Sequence, residues 1–246
     1  MKLCLVFMFT PDELPYLKLH LPVFAHEFDG IWAMTDYSTP HEVIHEVQAL
    51  CGAGVSVAKW EYNWGDFVNK LVRHPEVMGF DAVMRIDPDE CLMPGAADEI
   101  RRLLTDTASL LVLPRYEFFG DRRHYRADLY PDGQARAWRL NRGIIVQGLR
   151  HEGVDLTAHG LSEHDPHPDH YVLRGGPHIY HYGWIGKTGI YRNMVKYQRH
   201  AQVSAGGPEH VAFPADTPLV SFPTVPFDGP QPIDPDTVGL YAPFEE

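Results

Sequence analysis

Cysteine is scarce in this chain. Its three cysteines, Cys4, Cys51 and Cys91, are widely spaced and form no Cys-x-x-Cys pair, so neither a disulfide framework nor a zinc ribbon is expected. A reducing, cytoplasmic setting is the simplest reading. Long apolar runs are missing too. Residues 2–9 are apolar, but the run stops at Thr10-Pro11-Asp12-Glu13, well short of the roughly 20 residues of a membrane helix. It also lacks a small-residue cleavage site, so a buried first strand and a soluble protein are expected. An excess of positive charge is the third absence. With 33 acidic and 21 basic residues the formal net charge is −12, which speaks against a protein that tracks nucleic-acid phosphates. A local basic patch at Arg115, Arg122, Arg123 and Arg126 is the exception, and would suit an anionic ligand.

What is present is an ordinary globular composition in 246 residues, enough for one large domain and its core. The first hundred residues alternate strand and helix signals, the pattern of βαβ units. Strands are expected at 2–9, 30–35, 55–60, 82–86 and 110–113. Helices are expected at 11–28, where Leu14, Leu17, Leu21, Phe24 and Phe28 keep a helical spacing, at 40–50, at 66–73 and at 95–104. The fold class is therefore α/β, with a mixed, mainly parallel central sheet flanked by helices. Beyond it, 115–142 reads as extended segments and hairpins, 170–182 as a strand and 187–203 as a helix. From residue 204 the chain carries nine prolines, Pro208 to Pro243. This divides it into a domain at 1–203 and an extended Pro-rich tail at 204–246, packed on the domain or on a partner. The histidine-rich stretch 162–170 contains Pro166 and Pro168 and no regular ligand spacing, so a solvated loop is expected there.

Sheets of this kind gather ligands beyond the C-terminal ends of their parallel strands. Thr10, Asp36 and the pair Asp87 and Asp89 all fall at such ends. Asp87-Pro88-Asp89-Glu90 carries the most information. Two carboxylates around one residue, after an apolar strand, offer oxygen ligands to a hard cation such as Mg²⁺ or Mn²⁺, which keeps positions open for phosphate oxygens. Such a cation neutralises charge on a departing diphosphate.

Several segments together resemble glycosyltransferase family 2, of the GT-A fold. Asp36-Tyr37-Ser38-Thr39 is similar to the family's Asp-x-x-Ser/Thr turn. Trp64-Gly65-Asp66-Phe67 resembles its Asp-Phe segment, and Met84-Arg85-Ile86-Asp87-Pro88-Asp89-Glu90 its Leu-Asp-Ala-Asp-Glu signature. Tyr130-Pro131-Asp132-Gly133-Gln134-x-Arg136 resembles the segment before the acceptor site. Gly148-Leu149-Arg150-His151-Glu152 resembles the His-Glu motif of one branch, and His181-Tyr182-Gly183-Trp184 with Lys196-Tyr197 its closing motif. The likeness spans about residues 1 to 200, and the order of the segments is more specific than any one of them. Family members often have Arg-Asn after Asp-Phe, whereas here Val68-Asn69-Lys70-Leu71-Val72-Arg73 follows, leaving Lys70 and Arg73 both open as the cation. Pro88 replaces the usual Ala.

The resemblance implies a metal-dependent, inverting transfer of sugar from a nucleoside diphosphate sugar, a UDP-sugar by preference, with Mn²⁺ or Mg²⁺ as cofactor. Thr10, Asp36, Lys70, Arg85 and Asp87 would contact the donor, Asp36 holding the base. Asp87, Asp89 and His181 would hold the metal. Glu152, with His151 and Asp66, would serve catalysis, Glu152 as the base that deprotonates the acceptor. Glycan, lipid-linked glycan, protein and modified nucleobase all stay open as acceptor. Two other readings compete: a nucleotidyltransferase, which needs a Gly-rich basic loop after the first strand, and a nucleotide-binding module of the same fold without chemistry.

Overall fold

The computed structural model describes residues 1–61, 63–105, 108–140, 144–147, 155–158, 172–204 and 218–233. His151, Glu152 and the histidine-rich stretch 162–170 lie outside the described residues.

Four parallel strands form the scaffold. β1 (Leu3–Met8) pairs with β2 (Gly30–Asp36) on one side and β4 (Ala82–Arg85) on the other, and β2 pairs with β3 (Gly54–Ala58). β1 is buried along its whole length, which is why it reads as a continuous apolar run instead of an alternating one. Its side chains still divide by parity. Leu3, Leu5 and Phe7 pack with α1 (Leu14–Phe24), α2 (His41–Cys51) and α4 (Ala96–Leu103) through Tyr16, Leu17, Leu21, Phe24, Val47 and Ile100. Cys4, Val6 and Met8 pack on the opposite face with Phe67, Val68, Leu71 and Val72 of α3 (Trp64–Val77). Helices thus flank the sheet on both sides, and the α/β class expected from the sequence is the one found.

The sheet is more mixed than a run of βαβ units alone would make it. β6 (Leu110–Gly120) is antiparallel to β8 (Asp132–Arg139), and β8 inserts, antiparallel, against β4. β5 (Glu90–Leu92), where only an acidic turn was expected, pairs antiparallel with β12 (Ile179–Ile185), which also runs parallel to β6. β7 (His124–Arg126) pairs with β6 and with β13 (Thr224–Pro226). β11 (Val172–Arg174) adds to β6, and β9 (Ile144–Gln147) and β10 (Asp155–Ala158) form a separate antiparallel pair. The chain turns directly from β12 into α5 (Gly186–Ser204).

α3 runs four residues beyond its expected end at Arg73, through Pro75. A proline so close to the C-terminus disturbs only the last turn, which is closed by Met78 N–H donating to His74 O at 3.0 Å and Gly79 N–H to Glu76 O at 3.1 Å. Within the tail, residues 218–233 lie on the sheet. Phe222 meets Phe119 and Trp184, Phe227 enters a ring cluster with Tyr116, Phe118 and Tyr180, and Ile233 is buried in the core.

Candidate active site

The segment after β4 is held from three directions. From α1, the ring of His20 lies 3.0 Å from Pro88 O and 3.1 Å from Glu90 O. Both are carbonyl acceptors, so Nδ1 carries the proton and donates. Burial pushes His20 down to about 4, against the pull of Asp89 and of those two carbonyls. The ring is therefore neutral at physiological pH. From β4 and β8, Arg85 Nη1 donates to Asp87 Oδ1 at 2.9 Å and Arg136 Nη2 to Asp87 Oδ2 at 2.8 Å. Glu90 closes the turn on itself by accepting from Asp87 N–H at 2.9 Å, while its other oxygen takes Arg136 at 2.6 Å and Arg115 at 3.1 Å.

Asp89 faces elsewhere. Its Oδ1 lies 3.4 Å from His181 Nε2, and its Oδ2 accepts from Arg192 Nη2, on α5, at 2.9 Å. Burial alone would raise the Asp89 carboxyl, but His181, Arg192 and Lys196 outweigh it and hold it far below the usual carboxylate range. Burial would likewise favour a neutral His181. Glu117 and Asp89 overcome that and push the ring up to about 10. Glu117 Oε2 approaches His181 Nδ1 at 3.1 Å, an ion pair outside hydrogen-bonding angles, and Arg115 Nη2 at 2.8 Å.

Gly183 completes this corner. A Cβ there would stand 2.5 Å from Asp89 Oδ2 and 2.7 Å from His181 Nε2. Only the missing side chain leaves room in front of both atoms. A small divalent cation entering this cleared space would take a carboxylate oxygen and, by displacing the proton from Nε2, an imidazole nitrogen, and would complete its shell with phosphate oxygens. Each Asp87 oxygen accepts from a buried guanidinium, as Asp89 Oδ2 does from Arg192. Among the described residues no three His, Cys, Asp or Glu side chains converge as a metal-ligand set.

The remaining candidates are spread around the strand ends. Thr10 is exposed just after β1. Its N–H donates to Glu13 Oε2 at 2.9 Å and its hydroxyl to Asp12 Oδ1 at 2.5 Å. This segment is an acidic cap and not a Gly-rich phosphate loop. Half-buried Glu13 is pushed up to about 7 by burial, against Lys196 and with Asp89 and Asp12 adding to the rise. Asp36, at the end of β2, accepts from Ser38 N–H at 2.9 Å and from Trp60 N–H at 2.6 Å. Burial opposes its ionisation, yet these backbone donors keep it below its ordinary value. Asp66 lies in the first turn of α3, where it exchanges hydrogen bonds with the capping residue Asn63 at 3.1 and 2.7 Å. Lys70 lies 3.8 Å from Glu61. Arg85 sits over the Trp64 ring at 5.6 Å. Among the described residues the structure joins Arg85 to Asp87 and Asp89 to His181, while Asp66 is held by Asn63 and Lys70 lies by Glu61.

The basic patch expected around Arg115 is largely neutralised. Arg115 is buried among Glu90, Glu117 and Asp132, and Arg126 pairs with Asp128 at 2.7 Å. Sequence reasoning had Gly183 only as a member of the His181-Tyr182-Gly183-Trp184 segment, and missed His20, Glu117 and Arg192. Only His20 left a trace, as a histidine on the apolar face of α1 beside Tyr16, Leu17 and Leu21.

No protein-family model matches the chain, and no curated protein matches it. Solved structures do. S. aureus TarS is 12% identical with a TM-score of 0.47, the match covering 83% of this chain and 39% of that one. TarS 1-349 in complex with UDP is 12% identical with a TM-score of 0.47, covering 82% and 65%. Glucosyl-3-phosphoglycerate synthase from Mycobacterium tuberculosis, in complex with Mn²⁺, UDP and phosphoglyceric acid, is 14% identical with a TM-score of 0.35, covering 46% and 43%. The chain spans less than two thirds of each, and likeness at this level extends to neither chemistry nor substrate. No helix among the described residues is long and apolar enough to cross a membrane.

Proposed function

We propose that the protein is a metal-dependent glycosyltransferase that moves a sugar, with inversion, from a nucleoside diphosphate sugar, preferably a UDP-sugar, to an acceptor hydroxyl. The observation that carries this reading is the corner where Asp89 and His181 face the space cleared by Gly183. The ordered motifs of glycosyltransferase family 2 support it. A Mg²⁺ or Mn²⁺ held by Asp89 and His181 would neutralise charge on the leaving diphosphate.

The protein's own groups divide the remaining work. Arg192, which pairs with Asp89, supplies a guanidinium for the diphosphate oxygens. Asp36, held by the backbone N–H groups of Ser38 and Trp60, would accept from a donor on the base. Thr10 and Lys70 would line the donor's path. Arg85 would contact the donor, and Asp87, which pairs with it, would face the ribose or the metal. Glu152, beside His151, would take the acceptor proton, with Asp66 near the donor side.

Calorimetric titration of UDP with and without Mn²⁺ tests the reading. Wild-type protein should bind UDP much more tightly with Mn²⁺, and Asp89→Ala should lose that gain while keeping its circular dichroism spectrum. Transfer assays with UDP-, GDP- and dTDP-sugars then identify the donor. A folded wild-type protein that binds none of them overturns the proposal.

A further inference from the structure

We propose that Glu117 is the positioning residue of the cation site, fixing the proton of His181 on Nδ1 and so presenting Nε2 as the ligand beside Asp89. The inference rests on the metal reading of Asp89 and His181. An imidazole can ligate through either nitrogen, and the ring is set by what the other nitrogen meets. A carboxylate beside that second nitrogen retains its proton, orients the ring and makes the ligating nitrogen more basic. Here Nε2 lies 3.4 Å from Asp89 and Nδ1 lies 3.1 Å from Glu117, so a single ring joins the two carboxylates. A ring flipped about Cβ–Cγ would put Cε1 where Nε2 stands and Cδ2 where Nδ1 stands, taking both nitrogens away from the carboxylates.

Glu117 is held as firmly as this role demands. β6 and β12 pair with Glu117 and His181 in direct register. Glu117 is 3% exposed and His181 7%, which leaves little room for either to turn away. Arg115 pairs with Glu117 at 2.8 Å and is itself fixed by Asp132 and Glu90. Through Glu90 the same network reaches the turn that carries Asp89. Ligand, ring and carboxylate are thus tied together through four segments of chain.

The test measures Mn²⁺ binding by electron paramagnetic resonance in the presence of UDP, for wild type, Asp89→Ala, Glu117→Gln and Glu117→Ala. Thermal melts on the same samples report folding. Glu117→Gln keeps the size and an acceptor but removes the charge, and should weaken Mn²⁺ about 10- to 100-fold, the range found when such supporting carboxylates are replaced. Glu117→Ala should weaken it at least as much. Nitrogen-15 NMR of the histidines in Mg²⁺–UDP-loaded wild type supplies a readout independent of any variant's folding: His181 should carry its proton on Nδ1. A proton on Nε2, or unchanged Mn²⁺ affinity in folded Glu117→Gln, overturns the role of Glu117 alone. A wild-type protein that binds no Mn²⁺ with UDP overturns the function reading together with it.

Discussion

At the scale of single residues, Gly183 makes the sharpest claim. It is not among the glycines with positive φ, so an alanine there meets no backbone strain and its effect is purely spatial. The added Cβ would press on Asp89 Oδ2 and His181 Nε2, so one of these buried side-chain tips has to give way. Gly183→Ala should therefore weaken Mn²⁺-dependent UDP binding by tenfold or more, about 1.4 kcal/mol. Calorimetry with parallel thermal melts checks this, and unchanged affinity in folded protein would show that the cleared space holds no ligand. Asp87 shows what the sequence leaves out: each of its oxygens accepts from a buried arginine, and the sequence marks neither Arg85 nor Arg136 as its partner.

At the scale of elements, α1 steadies the site through His20. His20→Leu removes the donor that Pro88 O and Glu90 O share and should cost about 1–3 kcal/mol at pH 7. The pH dependence has a definite sign. His20 is held at about 4 in the fold against 6.5 as its ordinary value. Its contribution is present above 6.5, is lost as pH falls, and the loss is complete near 4, amounting to about 3 kcal/mol. The stability gap between wild type and His20→Leu should consequently narrow on acidification. Urea unfolding at pH 7 and pH 4.5 measures it, and a constant gap would rule this role out.

Elements also show where the sequence could be read. β1 to β4 and their helices announced themselves by apolar runs and helical spacing, because those signals are local. The acidic turn of Asp89 and the aromatic strand of His181 were visible for the same reason. β5 was not, since three residues become a strand only by pairing with β12 nearly ninety positions away. Glu117 and Arg192 escaped for a related reason: their meaning lies in what a distant strand or helix brings beside them.

At the scale of the whole molecule, the tail contributes to the fold. Phe222, Phe227 and Ile233 bury apolar surface on the sheet, each side chain contributing up to about 1.5–3 kcal/mol. A chain ending after Ser204 should melt at clearly lower temperature by differential scanning calorimetry. An unchanged melting temperature would show the tail to be passive. β12 links the tail to the site, since Tyr182 stacks on Phe118 at 5.1 Å and reaches Gln231 at 3.3 Å while His181, its neighbour, meets Asp89.

The hydrogen bond between Asp89 and Arg192 spans 103 positions of sequence. During synthesis the acidic turn emerges long before its partners, and the corner around Gly183 cannot exist until α5 has left the ribosome and docked. On the proposed function, a nascent or truncated chain would lack the corner that meets the donor, and only the finished fold could hold it.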